Sequence, residues 1–153
     1  MRTDRSRMKK DWKIITEDDS ISLHDHMVSS FDFRKDILLW FEDGFDVAKD
    51  HSCNETMRHK QTGAAAVVLH DASYIKGVKF LPDNKEQDVA QEELGTIDLE
   101  VLEFSFCKET RKVEIFGEAW DECWLCRLEF TADKVSYCWD DFVDDAWFQD
   151  WEK

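Results

Sequence analysis

The sequence of 153 residues has few of the residues that break a chain or cross-link it. It contains one proline, Pro82, and five glycines, so a Pro-rich linker is excluded. No apolar run approaches the length of a membrane span, and the N-terminal stretch MRTDRSRMKKDWK has no apolar core of a signal peptide. The five cysteines are odd in number. We therefore expect a cytoplasmic domain without a membrane segment, whose cysteines stay reduced.

Catalytic motifs are missing as well. There is no Gly-x-Ser-x-Gly elbow and no glycine-rich phosphate loop, and Ser29-Ser30 has no adjacent histidine in sequence. Carboxylates do lie near tryptophan around Trp120, but such neighbours are expected by chance in a chain this acidic and aromatic. The sequence therefore predicts neither an enzyme nor a bound cofactor.

What the chain has in excess is negative charge. The net charge is −15, and residues 1–13 carry six basic residues against two aspartates, so subtracting that +4 leaves −19 on the rest. We expect residues 1–13 to form a flexible basic arm and residues 14–153 a single globular domain. A body so charged repels nucleic acid and attracts a basic protein, although solubility alone would also explain the charge.

Short alternating or wholly apolar segments predict a mainly β fold. About eight strands with short connections favour an antiparallel sandwich or barrel. Three connections look like hairpin turns between neighbouring strands: Asp43-Gly44, the segment 71–73 and the segment 132–134. Residues 82–95 fit a loop or a short helix, and we favour the helix; residues 97–107 fit a helix or a strand, and we favour the strand.

The C-terminal segment 139–151, WDDFVDDAWFQDW, has the spacing of an amphipathic helix. Its predicted apolar face is Trp139, Phe142, Val143, Ala146, Trp147 and Trp151. Its predicted acidic face is Asp140, Asp141, Asp144 and Asp145. We expect this acidic face to bind a partner, with Trp151 as either a frayed tip or an exposed anchor.

The remaining tryptophans have simpler interpretations. Trp40, Trp120 and Trp124 lie within strand patterns and are expected in the core, because indole rings bury large areas. Trp147 is expected to pack into the domain.

Histidines and cysteines offer the alternative of a metal site. His24 and His26 flank Asp25 and would share one face of a strand, and His70 or Asp71 could supply a third ligand. The competing interpretation is the polar face of a half-solvated strand. Cys123 and Cys126 have the CxxC spacing, but a strand would point their sulfurs to opposite faces, so we expect them to be structural.

The order of the segments LHDHM, FEDGF, TGAAAV and WDDFVDDAWF is similar to that of small bacterial domains without an assigned activity. The resemblance covers residues 21–148 and implies a β-rich, self-contained cytoplasmic domain, with no catalytic residues. Two hypotheses follow. The first is an acidic module of the immunity or inhibitor type that binds a basic protein; the second is a small-molecule or metal-binding β-domain that uses His24 and His26.

Overall fold

Antiparallel sheets make up most of the chain. The computed structural model describes residues 11–151, with side chains up to Asp150, and 54% of it is strand and 4% helix. The prediction of a mainly β fold is thus confirmed. Of the two predicted architectures, a sandwich or a barrel, the barrel is wrong, because the strands of the described residues form three sheets and no closed barrel. Most of the predicted basic arm lies outside the described residues.

Fifteen strands and one helix are present in residues 11–151. The strands are β1 (Ile14–Thr16), β2 (Ile21–Ser22), β3 (Met27–Val28), β4 (Ser30–Phe33), β5 (Ile37–Phe41), β6 (Asp46–Val47), β7 (Lys60–Thr62), β8 (Ala65–His70), β9 (Ser73–Leu81), β10 (Lys85–Asp88), β11 (Leu99–Cys107), β12 (Lys112–Ala119), β13 (Trp124–Thr131), β14 (Lys134–Trp139) and β15 (Phe142–Asp145). The helix α1 spans Gln91–Leu94, and 3₁₀ turns span Pro82–Asn84 and Gln149–Trp151. No helix of the described part could cross a bilayer.

The three sheets differ in size and strand order. A five-stranded sheet has the order β1-β14-β8-β5-β4, and a six-stranded sheet has the order β10-β9-β13-β12-β11-β3. A four-stranded sheet, β15-β7-β6-β2, completes the fold. All pairings between strands are antiparallel.

One hydrophobic core joins all three sheets. Phe31 of β4 stacks on Phe130 of β13 with ring centroids 6.5 Å apart, so the five- and six-stranded sheets pack face to face. Phe45 and Trp139, whose centroids are 5.9 Å apart, extend the core toward the four-stranded sheet. Alternation along the strands brings Phe31, Phe130 and Trp139 into the core, because successive residues of a strand point to opposite faces.

The three predicted hairpin turns are all crossings between sheets. Gly44 has a φ of +80°, and an added Cβ would collide with the carbonyl oxygen of Thr62, so glycine is required there as predicted. However, β5 and β6 belong to different sheets, as do β8 and β9, and β13 and β14. The predicted strand pairs are therefore wrong, because each turn carries the chain from one sheet to another.

Two segments had been open between two kinds of secondary structure. Residues 97–107 contain β11, so the favoured strand is confirmed. Residues 82–95 contain β10 and only a four-residue helix α1, so the favoured helix is confirmed only for Gln91–Leu94. Leu94 of this helix is buried, whereas Val89, also buried, precedes the helix and Ala90 is exposed.

The predicted C-terminal acidic helix is absent. Trp139 ends β14 inside the core, and Phe142–Asp145 forms β15 against β7. The helical spacing is present in the sequence, but stacking of Phe142 on Trp139 and pairing with β7 stabilise a strand instead. Tertiary packing here overrides a local period.

Candidate functional site

The predicted acidic residues of the C-terminus do not form one free face. The Asp145 carboxylate accepts a hydrogen bond from Arg58 at 2.8 Å and contacts the Lys60 ammonium at 2.8 Å. These two hydrogen bonds, that of Arg58 first, lower the pKa of Asp145 to about 2. The negative charge of Asp145 is therefore balanced by Arg58 and by Lys60 of β7, and this carboxylate is not available to a partner.

The other predicted aspartates lie at different places. Asp140 accepts a hydrogen bond from the Lys13 backbone N–H at 2.9 Å, and Asp141 contacts Lys13 Nζ at 3.3 Å. Asp144 accepts a hydrogen bond from the Asp145 backbone N–H at 2.8 Å. Trp151 belongs to the terminal 3₁₀ turn, and its side chain lies outside the described part.

The predicted metal ligands are not brought together. Asp25, at φ +67°, turns the chain between β2 and β3, so His24 and His26 do not share a strand face. His24 donates from Nδ1 to the Leu102 carbonyl at 2.9 Å, whereas His26 donates from Nε2 to Asp46 at 2.9 Å in the interior.

His70 lies elsewhere, 2.8 Å from the Ser136 hydroxyl. In residues 11–151 no group of three or more His, Cys, Asp or Glu side chains is placed to hold a metal ion. The CxxC cysteines also occupy different environments: Cys123 is exposed in a turn, and burial raises the pKa of Cys126 to about 12.

A group of carboxylates without ion pairs in the described residues lies on the outer face of the six-stranded sheet. Side chains that face outward form a row across five strands, because each is the cross-strand partner of the next. In order across the sheet, this row is Glu86, Phe80, Leu125, Glu118 and Glu100.

The β12–β13 turn adds an aromatic ring and further carboxylates to the end of this row. Trp120 is 57% exposed, contrary to its predicted place in the core, and its Nε1 donates to Glu100 Oε1 at 2.7 Å. Asp121 and Glu122 follow it and are exposed. We call this surface the hairpin patch; it comprises Phe80, Glu86, Glu100, Glu118, Trp120, Asp121, Glu122 and Leu125.

The hairpin patch combines exposed apolar groups with uncompensated charge. Phe80 is 38% and Leu125 39% exposed, which are high values for such side chains in a sheet centre. Within residues 11–151, no Lys, Arg or His side chain forms an ion pair with a carboxylate of the patch. Glu100 and Glu118 are directly opposed, an arrangement of like charges that costs stability.

The other end of the same face is neutralised. Lys112 Nζ lies 3.6 Å from Glu114 and 3.9 Å from Glu129. Arg127 lies over the Phe116 ring, 5.0 Å from its centroid. Charge is thus unevenly distributed along one sheet face, and the uncompensated part is the patch.

A signal for this patch exists in the sequence. Residues 86–107 contain seven acidic and no basic residues, and residues 113–126 also contain no basic residue. Because β11 and β12 pair, these two stretches reinforce each other on one surface. Neither the pairing nor the exposure of Trp120 follows from hydropathy, so the sequence analysis missed the site.

An open groove of about 620 Å³ lies on the other side of β11, between that strand and β14 of the five-stranded sheet. Phe104, Phe106 and Tyr137 contribute aromatic surface to it. Burial and the negative charge of Asp19 raise the pKa of Tyr137 far above its usual value, so its hydroxyl stays protonated. We call this space the edge groove. His24 lies at it, while His26 does not.

Comparisons of the chain with protein-family models, with curated proteins and with solved structures found no match.

Proposed function

We propose that the chain is an acidic protein-binding module of the immunity or inhibitor type, which binds a basic partner protein through the hairpin patch. The observation that carries this proposal is the row formed by exposed Glu86, Phe80 and Leu125 and half-buried Glu118 and Glu100. In the described residues, no cation forms an ion pair with these carboxylates. An unpaired acidic surface attracts and steers a basic protein during encounter. Once the two surfaces are in contact, the complementary charges fix the orientation in which they dock.

The apolar members of the patch would supply affinity. Tryptophan is the residue most enriched at binding hot spots, and Trp120 projects from the turn with its indole held by Glu100. Phe80 and Leu125 would be desolvated in the centre, with carboxylates around them. This arrangement of an apolar centre with a charged rim is typical of protein interfaces.

The proposal is tested with two triple variants that remove equal charge. The patch variant is Glu100→Gln, Glu118→Gln and Asp121→Asn; the control is Asp140→Asn, Asp141→Asn and Asp144→Asn. Each protein is used to capture partners from a lysate of the source organism, and association with the captured protein is followed by stopped-flow fluorescence. We expect association to slow by about tenfold in the patch variant and by less than about threefold in the control.

Ionic strength provides the second measurement. Association of the unmodified chain should slow steeply as salt is raised from about 50 to about 500 mM, and the slope should be shallower in the patch variant. Equal rates for the two triple variants, association independent of salt, or a captured partner without a basic surface would contradict the proposal.

A further inference from the structure

The edge of β11 is left without a neighbouring strand for most of its length. β3 pairs with β11 only at Leu99 and Glu100, and the chain then turns away at Asp25. The last backbone contacts on this side join Val101 to Asp25 and His26. Within residues 11–151, no strand pairs with this side of β11 after that point.

The direction of the free backbone groups follows from antiparallel alternation. The Trp120 N–H donates to the Asp98 carbonyl at 3.0 Å, which fixes the residues of β12 that point toward β11. After the bulge between Val101 and Glu103, the same alternation directs the backbone N–H and C=O groups of Glu103, Ser105 and Cys107 toward β12. The N–H and C=O groups of Phe104 and Phe106 therefore point outward along the open edge.

The edge groove runs beside these groups. Leu102 to Phe106 all contribute to its lining, so the groove follows the strand rather than crossing it. A strand rises about 3.3 Å per residue, so the free edge from Glu103 to Cys107 spans roughly 13 Å, a length that four or five residues of an added strand would cover. Apolar side chains on the inner side of such a strand would contact Phe104, Phe106 and Tyr137.

We propose that an extended segment of a basic partner adds to β11 as an antiparallel strand, with apolar side chains in the edge groove and basic side chains facing outward. Exposed strand edges are templates for such addition, in which main-chain hydrogen bonds supply affinity and alternate side chains supply specificity. The proposal rests on the proposed function only for the basic character of the partner.

Charge around the groove also supports that character. Glu17, Asp19 and Glu103 line the groove together with Lys108 and Lys134, and Lys134 lies 3.6 Å from Glu17, so the carboxylates are in excess. The outward side chains of the added strand would lie next to Glu103, which is exposed and shares the outer face with Glu100 and Glu118 of the hairpin patch. The docked segment would thus be continuous with the patch. In a strand of alternating apolar and basic residues, the apolar side chains would contact the groove and the basic side chains would lie beside Glu103.

The probe for this proposal is an acetylated and amidated octapeptide in which valine and lysine alternate. On adding it to the full chain, we expect slower hydrogen exchange at the Phe104 and Phe106 amides, measured by NMR, because those amides gain acceptors. Unchanged exchange at both amides in the presence of saturating peptide would overturn the proposal. The same peptide with glutamate in place of lysine should bind at least about tenfold more weakly.

Backbone methylation gives the matched control. In antiparallel addition, the residues that bond to Phe104 and Phe106 have their side chains on the same inner face, which are the valines. N-methylation of the two central valines should weaken binding by roughly tenfold or more, whereas N-methylation of the two central lysines should change it by less than about threefold. Equal effects of the two modifications would contradict strand addition.

These results separate this proposal from the proposed function. Protection of the two amides together with equal partner binding by both triple variants would retain the edge site and reject the patch. A partner that depends on the patch but leaves the exchange of Phe104 and Phe106 unchanged would reject the edge site alone.

Discussion

The hairpin patch and the C-terminal segment are both rich in carboxylates and tryptophan, yet the fold treats them in opposite ways. In the C-terminal segment, Trp139 is buried and Asp145 is held by Arg58 and Lys60. In the patch, Trp120 is exposed, and Glu118 faces another glutamate. An acidic stretch in sequence therefore does not identify an acidic surface, because cations distant in sequence decide which carboxylates remain uncompensated.

The comparison also separates stability from binding. Carboxylates that accept hydrogen bonds from cations stabilise the fold, while opposed glutamates destabilise it and are candidates for a partner's cations.

The largest expected difference lies between the two tryptophans. Trp139→Ala should lower the free energy of unfolding by about 3–5 kcal/mol, because it removes a fully buried ring from the core. Trp120→Ala should lower it by about 1 kcal/mol or less, because that ring is mostly in water and loses only a surface hydrogen bond to Glu100. Urea denaturation followed by circular dichroism measures both. Similar losses in the two variants would mean that Trp120 packs in the core after all.

A smaller effect should have opposite sign in the two regions. Glu118→Gln relieves the repulsion with Glu100 and should raise the free energy of unfolding by about 0.5 kcal/mol. Asp145→Asn breaks the hydrogen-bonded pairs with Arg58 and Lys60 and should lower the urea midpoint. Each substitution removes one negative charge, so each serves as the other's control. A shift in the same direction would show that net charge, not local pairing, governs stability.

The smallest effect concerns pH. Hydrogen bonds from Arg58 and then Lys60 lower the folded-state pKa of Asp145 to about 2 from an ordinary value of 3.8. A lowered pKa stabilises the fold above the ordinary value, and this contribution is lost as the pH falls through the folded value. The urea midpoint of Asp145→Asn should therefore approach that of the unmodified chain between about pH 4 and about pH 2. A constant difference across this range would contradict the pairing.

Several features could be predicted from sequence, and they are local ones. Alternation predicted β11 although its period was ambiguous, and the need for a positive φ predicted the turn at Gly44. The helix predicted for residues 139–151 failed because its spacing also allowed β15, whose partner β7 is distant in sequence. His24 and His26 were predicted to share a face, but the left-handed backbone of Asp25 separates them.

The amino-acid sequence by itself determined the mainly β class, the positions of turns and the total charge, because these depend on periodicity, on backbone sterics and on composition. Only the tertiary structure decided which strands pair, which tryptophan is exposed and which carboxylates keep their charge uncompensated. The physical reason is range: hydrogen-bond partners, burial and ion pairs join residues far apart in the chain, and a turn of the same sequence can close a hairpin or carry the chain to another sheet.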